Sequence, residues 1–112
     1  MDRGRSELLS GTLDLLILKT LSLGVLHGYG IARHIQRMSS DALCIEEGSL
    51  YPALQRLQAK GFASSEWKLS STGRRARYYR LTVSGRRQLG IEESSFLDSV
   101  AAITRVLGDA EP

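Results

Sequence analysis

Cysteine is nearly absent from the chain. Cys44 stands alone, so no intrachain disulfide can form, nothing asks for an oxidising compartment, and a cytoplasmic setting is the expectation. Long apolar runs are missing as well. The most apolar stretch, Leu13 to Leu26, is interrupted by Asp14 and Lys19 and falls short of the ~20 residues that cross a bilayer. It also lies too far in, without a small-residue cleavage motif, to read as a secretory signal, so it is expected as a buried helix with no membrane partner. Histidine is scarce: His27 and His34, taken with Cys44, Glu46 and Glu47, match no compact metal-ligand spacing. A phosphate-cradling glycine loop is lacking too, and Gly28 and Gly30 follow no expected strand, which makes them turn glycines. Neither catalysis, a metal nor any other cofactor is expected.

What is present is an uneven distribution of charge. The 112 residues carry a net charge of only +3, yet the segment from Ser49 to Gly90 holds +8, its one anion being Glu66, while the remainder holds −5. A localised basic field suits a polyanion, because each neutralised phosphate releases a condensed counterion. The length fits one domain with one core, and an apolar share of 42% fits a globular chain.

Periodicity divides the chain into helices and a hairpin. Residues 1–10, with Arg3 and Arg5 and little apolar pattern, read as an N-terminal arm. In a helix from Thr12 to Leu23 the apolar residues, Leu15 and Leu18 among them, surround most of the circumference, which calls for burial on two sides, the second by another subunit. A second helix runs to about Met38 with Ile31, Ile35 and Met38 on one stripe, and Leu43 to Ile45 suits a short strand. In the third helix Leu50, Ala53, Leu54 and Leu57 form the buried stripe, Ser49 is the expected N-cap, Pro52 falls in the first turn and Gly61 ends it. Phe62 to Ser70 and Arg75 to Thr82 read as two strands around a Ser-Thr-Gly turn, with Tyr79 and Leu81 inward and Trp67 packed at the hairpin base. Thr82 caps a last helix to about Gly108, along which Leu89, Phe96 and Ile103, then Val100 and Leu107, repeat in seven-residue steps suited to a helix-on-helix seam.

The expected fold is therefore mainly α with a small β-hairpin: a winged helix-turn-helix domain followed by a dimerisation helix. An α-helix fits the major groove of DNA, and the third helix would enter it. Gln55 suits base reading through its amide, Arg56 and Lys60 suit guanine or phosphate, and Ser49 and Tyr51 near the helix start suit phosphate. Arg74, Arg75 and Arg77 crowd the hairpin tip and would straddle backbone or the adjacent minor groove. A homodimer seam is expected from Leu15, Leu18, Leu89, Phe96, Val100, Ile103 and Leu107. A rival reading is a winged-helix module whose basic hairpin grips an acidic protein partner.

The stretches GTLDLLILKTLSLG, HGYGIARHI, EEGSLYPALQRLQAKG and RRARYYRLTVSGRRQL together resemble the PadR family of bacterial transcriptional regulators, in order and over roughly residues 11 to 90. Tyr51, Pro52, Ala53, Leu54, Arg56 and Leu57 fall on that family's Tyr-Pro-Ala-Leu helix, and Tyr78, Tyr79, Leu81 and Thr82 on its second wing strand. The resemblance implies a homodimeric repressor on a pseudo-palindromic operator of double-stranded DNA. It divides the chain into an arm (1–10), a winged-helix domain (11–82), a dimerisation helix (83–108) and a tail (109–112). Val25 departs from the proline that members often carry there, and the single C-terminal helix resembles the family's short branch. Some relatives hold planar drugs between aromatic residues of paired C-terminal helices. Any small-molecule effector here would therefore sit at the dimer interface, where Phe96 is the one aromatic available and interface core first.

Overall fold

A computed structural model describes residues 12–108, and the expected arm and tail lie outside the described residues. The elements run α1 (Leu13–Leu21), β1 (Leu26–His27), α2 (Gly28–Met38), α3 (Glu47–Ala59), β2 (Ala63–Leu69), β3 (Arg75–Leu81) and α4 (Val83–Gly108). The three strands form one antiparallel sheet in the order β1-β3-β2. The fold is mainly helical with this small sheet, as the periodicity indicated.

α1 is the central post. Leu13, Leu15, Ile17, Leu18 and Leu21 are buried, packed with Ile31 and Ile35 of α2, with Leu50, Ala53, Leu54 and Leu57 of α3, and with Tyr79 and Leu89. The encircling apolar pattern thus has a different cause from the one expected. α2, α3, β3 and the first turns of α4 all pack on α1, so the chain covers both sides of the post by itself. Leu18 is 0% exposed, and Leu15 and Leu89 are buried beside it, so these three belong to the chain's own core. Burial of such a side chain stabilises by roughly 1.5–3 kcal/mol.

Four local expectations are corrected. The extended dipeptide at the edge of the sheet is Leu26–His27, paired with Tyr79 and Tyr78, whereas Leu43 to Ile45 forms no strand. Gly28 and Gly30 lie inside the first turn of α2, because His27 Nδ1 accepts the Gly30 amide at 2.9 Å and caps the helix there. Met38 is exposed, one turn past the last core contact of α2. α3 begins at Glu47, so Ser49 is its third residue and not its cap, and Pro52 is its sixth, forfeiting the hydrogen bond to the Gly48 carbonyl. The earlier start sets the acidic Glu47 at the positive end of the helix dipole.

The join between hairpin and α4 is tight. Thr82 Oγ1 accepts the Gly85 amide at 2.9 Å, the expected cap, and donates to the Gly61 carbonyl at 2.6 Å. A Cβ on Gly85 would run into the backbone carbonyl of Phe62, which is why only glycine fits where α4 leaves the sheet. Beyond Leu89 the helix parts from the core, and from Ser94 onward every described residue is exposed.

Candidate nucleic-acid interface

The 3.6-residue repeat that buries Leu50, Ala53, Leu54 and Leu57 leaves Tyr51, Pro52, Gln55 and Ala59 outside. Beside this surface the wing rises, and strand pairing fixes what faces it. Trp67 stands opposite Arg77, and Leu69 opposite Arg75, in an antiparallel register that runs to Ala63 opposite Leu81. Alternation then carries Ser65, Trp67, Arg75, Arg77 and Tyr79 to one face of the hairpin. Between that face and α3 runs a groove of about 500 Å³ lined by Tyr51, Gln55, Gln58, Ala59, Trp67, Arg77 and Tyr79. A second concavity of about 560 Å³ shares Tyr51, Trp67 and Arg77 and continues past Gly28, Tyr29, Arg74 and Arg75 to the wing tip.

The wing is polar and aromatic where it leaves the core. Trp67 was expected to pack at its base; instead the residue is 54% exposed, with the guanidinium carbons of Arg75 and Arg77 at 5.3 and 5.6 Å from its ring centroid. Ser70 and Gly73 close the tip, with Gly73 at φ +85°, a conformation that favours glycine. Glu66 lies on the opposite face, 3.9 Å from Lys68 and 3.7 Å from Arg80. Among the described residues no carboxylate lies within ion-pair distance of Arg74, Arg75 or Arg77. The face toward α3 is consequently a band of unneutralised cations.

Tyr51 is 39% exposed, its ring lying against α2, where a Cβ on Gly28 would meet the Tyr51 hydroxyl at 2.7 Å. Tyr79 closes the groove floor. Its burial pushes the phenol above the usual range, Arg77 pulls the other way, and Tyr51 adds to the rise.

The structure brings Tyr51, Gln55, Arg74, Arg75 and Arg77 together around these grooves. It sets three other sequence candidates apart. Arg56 turns toward α1, its Nη2 donating to Asp14 Oδ1 at 2.8 Å. Ser49 lies on the same flank of α3 as Arg56, and Lys60 is the C-cap at the far end. Two residues beside the groove were not among the sequence's DNA-contact candidates, although helix phase already sets Gln58 on the outward side of α3. Gln58, seven residues after Tyr51, faces the wing, and Ser65 lies across from it on β2. The same seven-residue step that defines a helix face marks Gln58, whereas Ser65 needs the strand register.

Among the described residues this arrangement, four helices and a three-stranded sheet with an exposed third helix beside a basic hairpin, is that of a winged-helix, DNA-binding transcriptional regulator. The chain belongs to the transcriptional regulator PadR-like family, whose model matches residues 17–91. It is similar over 95% of its length to a PadR family transcriptional regulator from Eggerthella lenta, covering 90% of that chain at 28% identity and a TM-score of 0.79. A transcriptional regulator from Clostridium thermocellum has a TM-score of 0.80 at 28% identity, over 89% of this chain and 94% of its own. A PadR family transcription regulator from hypervirulent Clostridium difficile is 30% identical, with a TM-score of 0.73 over 87% of this chain and 99% of its own. An uncharacterized protein X of Lysinibacillus sphaericus is 32% identical over 85 residues, 76% of this chain and 78% of that protein. The family is one of regulators and not of enzymes.

Proposed function

We propose that the protein is a cytoplasmic homodimeric repressor that binds a pseudo-palindromic operator, with α3 in the major groove and the wing on the adjoining backbone. The observation that carries this reading is the groove between α3 and the wing, bordered by Arg74, Arg75 and Arg77, which have no carboxylate partner among the described residues. A protein placed with a helix in one groove and a hairpin at the next straddles the phosphate strand between them, and a cationic channel is what that strand requires. No helix among the described residues is long and apolar enough to cross a membrane, which accords with a cytoplasmic regulator.

Within this reading Gln55 serves base recognition, since its exposed amide can pair bidentately with adenine. Arg74, Arg75 and Arg77 serve phosphate, with Tyr51 a further backbone contact. Arg56 and Lys60 reach phosphate at the outer flank, Arg56 after leaving Asp14, and Ser49 contacts backbone near the helix start. The exposed seam of α4, Phe96, Val100, Ile103 and Leu107, joins two copies. Such a dimer holds two recognition helices for major grooves about 34–36 Å apart. An effector that changed their spacing would lower affinity, and the seam around Phe96 is where it would act.

Binding to mixed-sequence duplex and to a selected operator, each at rising salt, tests the reading. Affinity should fall steeply with salt, whereas a protein partner held by a few charges would give a shallow slope. Arg75→Ala should weaken both duplexes alike and lower the slope by about one, while Gln55→Ala should cost about 1–3 kcal/mol on the operator alone. Equal losses on both duplexes from both substitutions would refute the division of labour.

A further inference from the structure

A chain of hydrogen bonds joins the recognition helix to one wing arginine. Arg77 Nε donates to Ser65 Oγ at 2.8 Å, and Ser65 Oγ donates to Gln58 Oε1 at 2.9 Å. The direction is forced at every step. A guanidinium has donors only, so the serine oxygen must spend a lone pair on Arg77, and an amide oxygen accepts only, so the serine's single hydrogen goes to Gln58 Oε1. Geometry permits this because Ser65 stands opposite Tyr79, which makes Arg77 its diagonal neighbour on the same face of the hairpin. Gln58 is half-buried at the edge of α3, so its end of the chain is anchored to the core.

We infer that Ser65 is a positioning residue for DNA binding: it fixes Arg77 to Gln58 so that wing and recognition helix meet the phosphate strand as one preset unit. The contact uses only the Nε hydrogen of Arg77 and leaves both terminal nitrogens, with four N–H groups, available to other acceptors. The Trp67 ring, 5.6 Å from the same guanidinium, restricts it from a second side. A long side chain held at two points gives up less rotamer freedom when it meets a phosphate, so the contact is preorganised. The same relay leaves the Gln58 amide nitrogen as the group free to face the groove, which makes Gln58 a donor there.

This inference rests on the DNA-binding reading, and the test separates the two. A mixed-sequence duplex long enough to span two major grooves is titrated with wild type, Ser65→Ala, Ser65→Thr, Arg77→Ala and the Ser65→Ala/Arg77→Ala pair over a range of salt, with thermal midpoints measured alongside. Loss of one phosphate contact is worth roughly fivefold at 0.15 M salt and about one unit of salt slope. Ser65→Ala and Arg77→Ala should each show that loss, the double variant should be no weaker than Arg77→Ala, and Ser65→Thr should keep wild-type affinity and slope. Ser65→Ala with wild-type affinity and slope, beside a weakened Arg77→Ala, would overturn the relay while leaving DNA binding intact. Additive losses in the double variant would overturn it too. A wild type that ignores duplex DNA would overturn the DNA-binding reading and the relay with it. A fall in thermal midpoint without change in slope would make Ser65 a fold residue and reject the inference.

Discussion

Ile103→Asp should split the proposed dimer while leaving the chain folded. Ile103 lies on the part of α4 that has left the core, and it is 55% exposed. Phe96, Val100, Ile103 and Leu107 follow one another at steps of four, three and four, which is the alternation of a two-helix seam. Full burial of an isoleucine stabilises by roughly 1.5–3 kcal/mol, and about half of that remains to be gained at Ile103, so the lost transfer amounts to ~1 kcal/mol per copy. Twofold symmetry doubles the figure to ~2 kcal/mol. Each copy then adds an unpaired carboxylate facing a dry surface, which brings the total to roughly 4 kcal/mol or more, about a thousandfold in dissociation constant. Sedimentation at micromolar protein should give a dimer for wild type and a monomer for the variant, with helical content unchanged because Ile103 takes no part in the buried core. A monomeric wild type, or a variant that stays dimeric, would refute the assignment of this seam.

Three further outcomes are expected. Gly85→Ala drives a Cβ into the Phe62 carbonyl, a backbone group that cannot step aside, and should cost about 1–3 kcal/mol or roughly 5–15 °C of melting temperature; an unchanged midpoint would contradict the tight join. Tyr79 has its phenol pushed above the usual value near 10, so its contribution is complete below that pH and fades as pH rises through it, when the unfolded chain ionises first. Tyr79→Phe should flatten stability against pH between about 9 and 11 in denaturant titrations, and an unaltered slope would rule the phenol out. Asp14→Asn removes the partner of a half-exposed Arg56, so stability should change by less than about 1 kcal/mol, while duplex binding at low salt tightens through the released cation; weaker binding would count against Arg56 as a phosphate contact.

Much of the fold was legible because apolar spacing records burial directly. Leu50, Ala53, Leu54 and Leu57 marked the buried face of α3, and Thr82 with Gly61 marked the ends around the hairpin. Where burial did not decide, the reading slipped. Ser49 is a better N-cap type than Glu46, yet α3 starts earlier, so cap preference yielded to where the chain emerges from the preceding loop. His27, whose spacing to the other ligand types fits no metal motif, is a helix cap through Nδ1, a role that needs the start of α2 to be known. The encirclement of α1 was read correctly as burial on two sides, but periodicity carries no information on whether one chain or two supplies the cover. At the site, Tyr51, Gln55 and the wing arginines followed from helix phase and turn position. Ser65 did not, because its significance depends on a cross-strand diagonal and on α3 standing alongside, and the Arg56–Asp14 ion pair was not legible because the two residues are far apart in sequence but adjacent in space.

The wing arginines that suit a phosphate strand also work against the hairpin that carries them. Arg75 and Arg77 are two residues apart on one face, about 7 Å by strand geometry, where two unit charges in water repel by roughly 0.6 kcal/mol. Trp67 lies between them in contact range of both guanidinium groups, and an exposed cation–π contact offsets about 0.5–1 kcal/mol apiece. Attraction to the ring, about 1–2 kcal/mol for the two contacts, therefore exceeds the mutual repulsion. Apolar burial adds little, since Trp67 and Leu69 are exposed where the hairpin leaves the core. The order of the distal wing then depends on strand pairing and on the Ser65 contact to Arg77 and Gln58. A bound phosphate strand would remove the repulsion at no cost to either set of contacts, which is why an exposed tryptophan beneath arginines suits a surface held ready for a polyanion.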